Sequence, residues 1–231
     1  MLDLLRDYGL FFLMGQYPNG PLGGIAMTIL ISACALALAF PLGVLMGVCQ
    51  VSPCRWVRVP VSTLVYLLRA TPLLMIIFWI YFLLPLWLGG TPDQFSTVLI
   101  SLAVFEAAYI SVIMQCGIKG LPRGQMETAR ALGFPYWQAM ALVVLPQALK
   151  NMLPSLVGEF VSIIKLTSLG YVVGLSESTF VAEQVNAQTI TMPAEVYAVL
   201  GLSYFVMCFG MTRFSYWLER RMSTNRMVGD A

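Results

Sequence analysis

Five apolar stretches, each long enough to cross a bilayer as a helix, constrain this chain more than any other feature. A membrane-spanning helix needs roughly 20 apolar residues. The 231 residues are 59% hydrophobic and 10% charged, whereas soluble domains are roughly 25% charged. The predicted spans cover about residues 22–48, 57–86, 96–118, 153–175 and 194–217. We therefore predict an all-α integral membrane protein with five transmembrane helices.

Basic residues lie in alternate connections between these spans, and their distribution predicts the orientation. They occur between spans one and two, between spans three and four, and after span five, whereas the other two loops hold acidic residues. The basic residues are Arg55, Arg58, Lys119, Arg123, Arg130, Lys150, Arg220, Arg221 and Arg226, and the acidic ones are Asp93, Glu177 and Glu183. Because cytoplasmic loops are enriched in Lys and Arg, we expect a cytoplasmic C-terminus and an external N-terminus.

The first 20 residues differ from the spans because charges interrupt their apolar side chains. Asp3, Arg6 and Asp7 make this segment too polar to cross the membrane, and an amphipathic helix lying on the membrane surface suits it. No signal peptide is expected, since no basic region opens the segment. We expect an interfacial segment at 1–20, one membrane domain at 21–219, and a cytoplasmic tail at 220–231.

Several kinds of chemistry are not expected from this composition. The chain has no histidine, and its five cysteines form no Cys-x-x-Cys pair, so we predict neither a metal site nor catalytic residues. No basic run with interleaved aromatic residues suggests nucleic-acid binding. No Gly-rich phosphate loop is present, so any ATP used must be bound by another chain.

The polar stretch 127–146 stands out from its apolar surroundings. Residues 127–132 are mostly good helix formers, and Gly133 is a plausible helix stop because glycine adopts the left-handed cap conformation. Pro135 prevents the helix from continuing. A helix this polar cannot lie in hydrocarbon, so we place it outside the membrane, within a connection at 119–150.

The spacing of this stretch resembles the EAA loop of ABC-importer permeases. That loop has Glu-Ala-Ala, three residues, Gly, nine residues, and Ile-x-Leu-Pro. The matching positions here are Glu127, Thr128, Ala129, Gly133, Val143, Leu145 and Pro146. Threonine replaces the first alanine and valine replaces the isoleucine. The resemblance implies the type I importer permease fold, with this stretch forming a cytoplasmic coupling helix that docks on a partner ATPase.

Three further segments resemble one subfamily of these permeases. Residues 69–74 read Arg-Ala-Thr-Pro-Leu-Leu and are similar to its Arg-Gly-Thr-Pro-Leu-Leu signature. Residues 105–109 read Phe-Glu-Ala-Ala-Tyr, and residues 165–169 are similar to its Lys-Asp-Thr-Ser-Leu. The resemblance implies the histidine/glutamate/glutamine/arginine/opine family of polar amino-acid permeases, nearest to glutamate/aspartate permeases. Val112, Gln115 and Leu166 replace charges that this family often keeps, so its usual salt bridges there cannot form.

Four charged residues fall within the predicted spans. Arg69, Glu106, Glu159 and Lys165 each cost at least about 2.5–3.5 kcal/mol to insert, so such residues normally face a cavity or a partner. Arg69 lies roughly 18 Å into its span. Pro72 follows, and we expect it to break the helix.

Transporters often place a cation beside a broken helix to bind a carboxylate. We therefore expect Arg69 or Lys165 to contact a substrate carboxylate, and Glu106 or Glu159 to contact its amino group. Thr167 and Ser168 follow Lys165 and complete the predicted substrate site. The alternative is structural, with Arg69 paired to Glu106 and Lys165 paired to Glu159.

The glycines within the spans have a simpler interpretation. Gly43, Gly47, Gly201 and Gly210 are expected to permit close contact between helices rather than to take part in chemistry.

These features predict the permease subunit of an ATP-driven importer for polar amino acids in a bacterial inner membrane. The expected partners are an ABC ATPase, a second permease subunit, membrane lipid, and a periplasmic amino-acid-binding protein facing the acidic loops and the N-terminal segment. The resemblance favours a heterodimer over a homodimer, and glutamate/aspartate as cargo. Two alternatives stay open: an ion-coupled secondary transporter using Glu106 or Glu159, and a structural membrane subunit that carries no substrate.

Overall fold

The computed structural model describes residues 2–90, 93–189 and 191–227, and helices account for nearly all of them. Within these ranges the only β-pairing is a pair of isolated bridges, which confirms the all-α prediction. The helices are α1 (Leu2–Met14), α2 (Gly24–Gln50), α3 (Arg55–Ala70), α4 (Leu73–Phe78), α5 (Leu84–Leu88), α6 (Gln94–Lys119), α7 (Gly124–Ala131), α8 (Tyr136–Ala139), α9 (Leu145–Leu166), α10 (Ser178–Thr189) and α11 (Pro193–Met227). The end of the predicted tail, 228–231, lies outside the described residues.

Four helical segments are long and apolar enough to cross a membrane: Gly24–Gln50, Gln94–Lys119, Tyr136–Val173 and Pro193–Trp217. A fifth is obtained if the bent pair Arg55–Ala70 and Leu73–Trp87 counts as one span. The five predicted spans correspond to these segments. α1 forms where the interfacial helix is expected.

The second span is broken where the sequence predicts. α3 ends at Ala70, and α4 begins at Leu73 after an extended Pro72 with φ −60° and ψ 137°. Proline disfavours helical geometry in the residue before it and supplies no backbone N–H. The break therefore follows from Thr71-Pro72 and leaves Arg69 one residue before the end of α3.

The helix that contains the fourth predicted span begins well before residue 153. The helical segment begins at Tyr136 and passes through a π-helical turn at Met140–Val144 before α9. The wider π turn shifts the hydrogen-bond register just ahead of Pro146, whose missing N–H falls in the first turn of α9, where proline is tolerated. Pro154 is also accommodated inside α9.

The chain divides into two compact units. The first takes its described residues from Met1–Leu38, Thr71–Val104 and Phe160–Met211, and the second takes its described residues from Ala39–Ala70, Phe105–Glu159 and Thr212–Ala231.

In the first unit, the connection between the fourth and fifth predicted spans contains a helix, α10. The N-terminal helix α1 packs against this region through Leu4 and Phe12, which share a buried cluster with Val181, Val185 and Val196. α10 forms because its apolar side chains have this cluster to enter.

In the second unit, α2 and α6 approach closely through two glycines. A Cβ on Gly43 would lie 2.6 Å from the side chain of Ile110, and one on Gly47 would lie 2.6 Å from Cβ of Met114. The prediction of close helix contact is confirmed at both positions. It is wrong within this chain for Gly201 and Gly210, beside which the described residues leave open space.

Candidate functional site

The predicted coupling helix is α7, and its end has the expected cap. Gly133 has φ +91°. Its N–H donates to the carbonyl of Arg130 at 3.0 Å, and the N–H of Phe134 donates to the carbonyl of Ala129 at 3.2 Å. These two bonds form a Schellman motif. The prediction that Gly133 stops the helix is therefore confirmed.

The residues of the spaced motif differ in exposure. Ala129 is buried, whereas Glu127 and Thr128 on the same helix are exposed. Leu145 is half-buried and Pro146 is exposed at the start of α9. The motif thus presents polar side chains outward and anchors the helix through its small alanine.

Three apolar side chains beside the α7 cap are exposed, and sequence analysis did not single them out. Leu132 is 75% exposed, Trp137 is 53% exposed and Phe134 is 37% exposed. Exposed apolar patches of this kind mark interaction sites in many proteins. The sequence does indicate this surface, because two of the three residues are aromatic and lie within a polar connection.

Side-chain hydrogen bonds fix this segment to the rest of the second unit. Gln147 in α9 donates to Oε1 of Gln125 in α7 at 3.1 Å. The hydroxyl of Tyr136 donates to the carbonyl of Val51 at 3.2 Å. α7 and α8 are therefore joined to the start of α9 and to the connection after α2.

A cavity of about 600 Å³ lies beside α7 in the same unit. Buried Ile118, Met140 and Val144 provide an apolar lining. Lys119, the last residue of α6, and Arg123 also line the cavity.

The membrane charges of the second unit do not pair as expected. The guanidinium carbon of Arg69 lies 4.9 Å from the centroid of the Tyr109 ring, within cation–π range. Glu106 is 1% exposed and lies beside the carboxyl group of Glu159. The predicted Arg69–Glu106 ion pair is therefore wrong. Arg69 contacts an aromatic face instead, and Glu106 lies beside a second carboxyl group.

Glu106 and Glu159 are two neighbouring carboxyl groups in the second unit. Oε2 of Glu106 is buried and has no hydrogen-bond partner among the described residues. The pair lies one helical turn from Tyr109 on α6, because residues three apart share a helix face. Tyr109, which contacts Arg69, therefore shares a face of α6 with Glu106.

The remaining predicted substrate residues belong to the first unit. Lys165 is exposed in the last turn of α9, and a 3₁₀ helix, Thr167–Val173, follows. The hydroxyl of Thr167 donates to the carbonyl of Ile164 at 2.8 Å, and that of Ser168 donates to the carbonyl of Lys165 at 2.7 Å. The α-helix is therefore interrupted just after Lys165. The pairing of Lys165 with Glu159 stays a prediction.

Glu177 was expected on an external acidic loop facing a binding protein, but its side chain does not reach the surface of the chain. It is fully buried and accepts hydrogen bonds from the N–H of Thr179 at 2.9 Å, the N–H of Phe180 at 3.0 Å and the hydroxyl of Tyr204 at 2.8 Å. It therefore caps α10. Burial raises the pKa of Glu177 to about 7, although these bonds oppose the shift.

Within the described ranges, no three His, Cys, Asp or Glu residues are grouped so as to hold a metal ion. The five cysteines are free thiols.

Comparison with known proteins gives consistent results. Residues 39–224 match the family described as binding-protein-dependent transport system inner membrane component. The inner membrane amino-acid ABC transporter permease protein YhdY of Escherichia coli (strain K12) is 33% identical over 223 residues, covering 95% of this chain and 61% of YhdY. The chain thus spans less than two thirds of that relative's length.

Two other similarities extend over nearly the whole of each protein. The arginine transport system permease protein ArtQ of Bacillus subtilis (strain 168) is 34% identical over 207 residues, covering 88% of this chain and 93% of ArtQ. The crystal structure of an amino acid ABC transporter with histidines superposes with a TM-score of 0.81 at 28% identity, covering 95% of this chain and 97% of that one. This chain therefore belongs to the family of inner membrane components of binding-protein-dependent transport systems.

Proposed function

We propose that this chain is the permease subunit of an ATP-driven ABC importer for polar amino acids, and that it forms the translocation pathway with a second permease subunit. The observation that carries the proposal is the capped helix α7, which displays Glu127 and Thr128 beside exposed Leu132. A partner ATPase binds and hydrolyses the nucleotide. ATP-driven closure of that partner moves α7 and, through it, the membrane helices.

The rest of the assembly follows from the same role. The chain lies in a bacterial inner membrane with residues 119–150 and the tail at 220–231 in the cytoplasm and the N-terminus outside. A heterodimer with a different permease is favoured, and a periplasmic amino-acid-binding protein delivers the cargo. Residues 21–219 form the membrane domain, with residues 1–20 at its interface.

The membrane charges support an acidic amino acid, glutamate or aspartate, as the cargo. Arg69 contacts an aromatic ring rather than a carboxylate within the described residues, so its charge is available to a substrate carboxylate. Lys165 provides a further cation, whereas the hydroxyls of Thr167 and Ser168 already donate to backbone carbonyls. Glu106 and Glu159 provide the negative charge for the amino group. We expect Arg69→Ala to abolish uptake and Arg55→Ala, at the other end of α3, to retain it.

One observation favours a second candidate. The neighbouring carboxyl groups of buried Glu106 and Glu159 are groups that exchange a proton in an ion-coupled transport cycle, which needs no ATPase. The two candidates differ in their energy source: uptake into vesicles that needs internal ATP and survives a proton uncoupler supports the importer.

Co-purification tests the coupling role directly. The chain is extracted in mild detergent, and the associated proteins are identified by mass spectrometry. We expect the wild type and Gln138→Asp to retain an ATPase with a phosphate-binding loop, and Leu132→Asp to lose it, since the substitution places a charge in the exposed apolar surface. Failure to recover any ATPase with the wild type would contradict the proposal.

A further inference from the structure

The cavity beside α7 has a chemistry that coupling to an ATPase does not explain. Its volume of about 600 Å³ falls in the usual range for small-molecule sites, roughly 300–1,000 Å³. Its inner wall is apolar, formed by Ile118, Met140 and Val144, all 9% exposed or less. A ligand that fills it therefore needs an apolar portion.

Two basic side chains lie beside this apolar wall. Lys119 and Arg123 are exposed, line the cavity and have no ion-pair partner among the described residues. Glu127 also lines the cavity. Its negative charge offsets one of the two positive charges, so the three side chains together have a net charge of +1. The site consequently favours a ligand with a negative head attached to an apolar portion.

The position of the cavity indicates where such a ligand comes from. Lys119 is the last residue of the membrane-spanning helix Gln94–Lys119, so the cationic rim lies where the chain leaves the bilayer. Basic pockets at this level of membrane proteins bind the head groups of anionic lipids. A phospholipid supplies both the phosphate and the acyl chain at that depth.

Apart from Glu127, which lines the cavity, the surface proposed for the ATPase lies on another side of α7. At 100° per residue, Thr128 and Leu132 are about 160° and about 120° from Met126, which lines the cavity. Both are exposed. A ligand in the cavity and a protein on the outer side can therefore contact α7 simultaneously.

We propose that this cavity binds an anionic phospholipid, with Lys119 and Arg123 contacting the phosphate and the apolar wall receiving the start of an acyl chain. Lipid bound there would stabilise the position of α7 relative to the end of α6. The proposal concerns the chain alone and does not depend on the cargo.

The test uses the purified full-length chain titrated with dioctanoyl phosphatidylglycerol or dioctanoyl phosphatidylcholine, with bound lipid followed by native mass spectrometry. We expect the wild type to prefer phosphatidylglycerol by roughly tenfold or more, since each surface cation near an anionic lipid contributes on the order of 1 kcal/mol. Lys119→Gln/Arg123→Gln removes the preference. Lys119→Arg/Arg123→Lys and the matched control Arg55→Gln, an exposed cation outside the cavity, retain it.

Three results would overturn the proposal. The first is an unchanged preference in the double Gln variant, whose folding is verified by its thermal unfolding midpoint. The second is displacement of the lipid by an equal concentration of inorganic phosphate, which would make the ligand a soluble anion. The third is loss of bound lipid when the ATPase is added to the purified chain, which would assign the cavity to that protein.

Discussion

The guanidinium of Arg69 lies over the face of Tyr109, with 4.9 Å between its central carbon and the ring centroid. A ring face attracts a cation without neutralising its charge. Tyr109 therefore holds Arg69 in place and leaves the charge available to an anion.

The first prediction concerns this contact. Tyr109→Leu removes the ring and should raise the KM for uptake by roughly two- to fivefold, because Arg69 is exposed and a cation–π contact at an exposed site is worth about 0.5–1 kcal/mol. Tyr109→Phe preserves the ring face and should retain a KM near that of the wild type. Uptake assays in proteoliposomes distinguish the two. Equal KM values for both variants would exclude a positioning role for Tyr109, while Arg69→Ala tests the cargo site separately.

The second prediction concerns the α2–α6 contact. Gly47→Ala places a Cβ 2.6 Å from Cβ of Met114 and 2.8 Å from the carbonyl oxygen of Ser111, and neither atom belongs to a flexible side-chain end. Overpacking of this kind costs about 1–3 kcal/mol, so the thermal unfolding midpoint should fall. Gly210→Ala is the control, because nothing described lies within 4 Å of its Cβ position. An unchanged midpoint for Gly47→Ala would contradict the packing described.

The third prediction distinguishes the effect of backbone conformation at the α7 cap from the effect of steric crowding by a side chain. A Cβ on Gly133 or on Gly124 meets nothing within 4 Å among the described residues, but only Gly133 has a positive φ. Gly133→Ala strains the cap by about 1–2 kcal/mol and should weaken ATPase binding by up to about thirtyfold if the strain is borne in docking. Gly124→Ala should bind normally. Titration of the purified permease with the ATPase measures both, and equal affinities would show that the cap conformation does not affect docking.

The fourth prediction concerns pH. Burial raises the pKa of Glu177 to about 7, whereas the unfolded value is about 4.3. The folded state therefore holds a proton that the unfolded state has released, and stability falls as pH rises between these values. The unfolding midpoint of Glu177→Gln should lose this component of the pH dependence, and that of the exposed control Glu183→Gln should keep it. A midpoint whose pH dependence is the same in Glu177→Gln and the wild type would contradict the assigned protonation.

Local chemistry made parts of this structure predictable. The break at Pro72 and the cap at Gly133 both follow from what proline and glycine do to their own backbone. Hydrophobic length located the spans, although it could not show that the helix containing the fourth span begins at Tyr136, because the π turn at Met140–Val144 depends on packing around it.

The placement of charges was less predictable. Glu177 lies in a polar stretch of sequence, yet it is buried because it caps α10 and meets Tyr204, a partner 27 residues away. Arg69 and Glu106 were expected to pair because their charges are opposite. In the structure Arg69 contacts Tyr109, and Glu106 lies beside Glu159. Which polar group meets which is decided by the rotation of each helix about its axis, and the sequence pattern does not specify that rotation closely enough.

The glycine contact between α2 and α6 has a mechanical consequence. Backbones that approach this closely leave no room for sliding, and a hydrogen bond of 2.9 Å from Gln50 to Ser111 joins the same two helices. The portions of α2 and α6 within the second unit must then move together as one rigid body. Since α7 follows α6 after a short connection, a displacement of α7 would rotate the packed portions of both helices rather than bend a single helix.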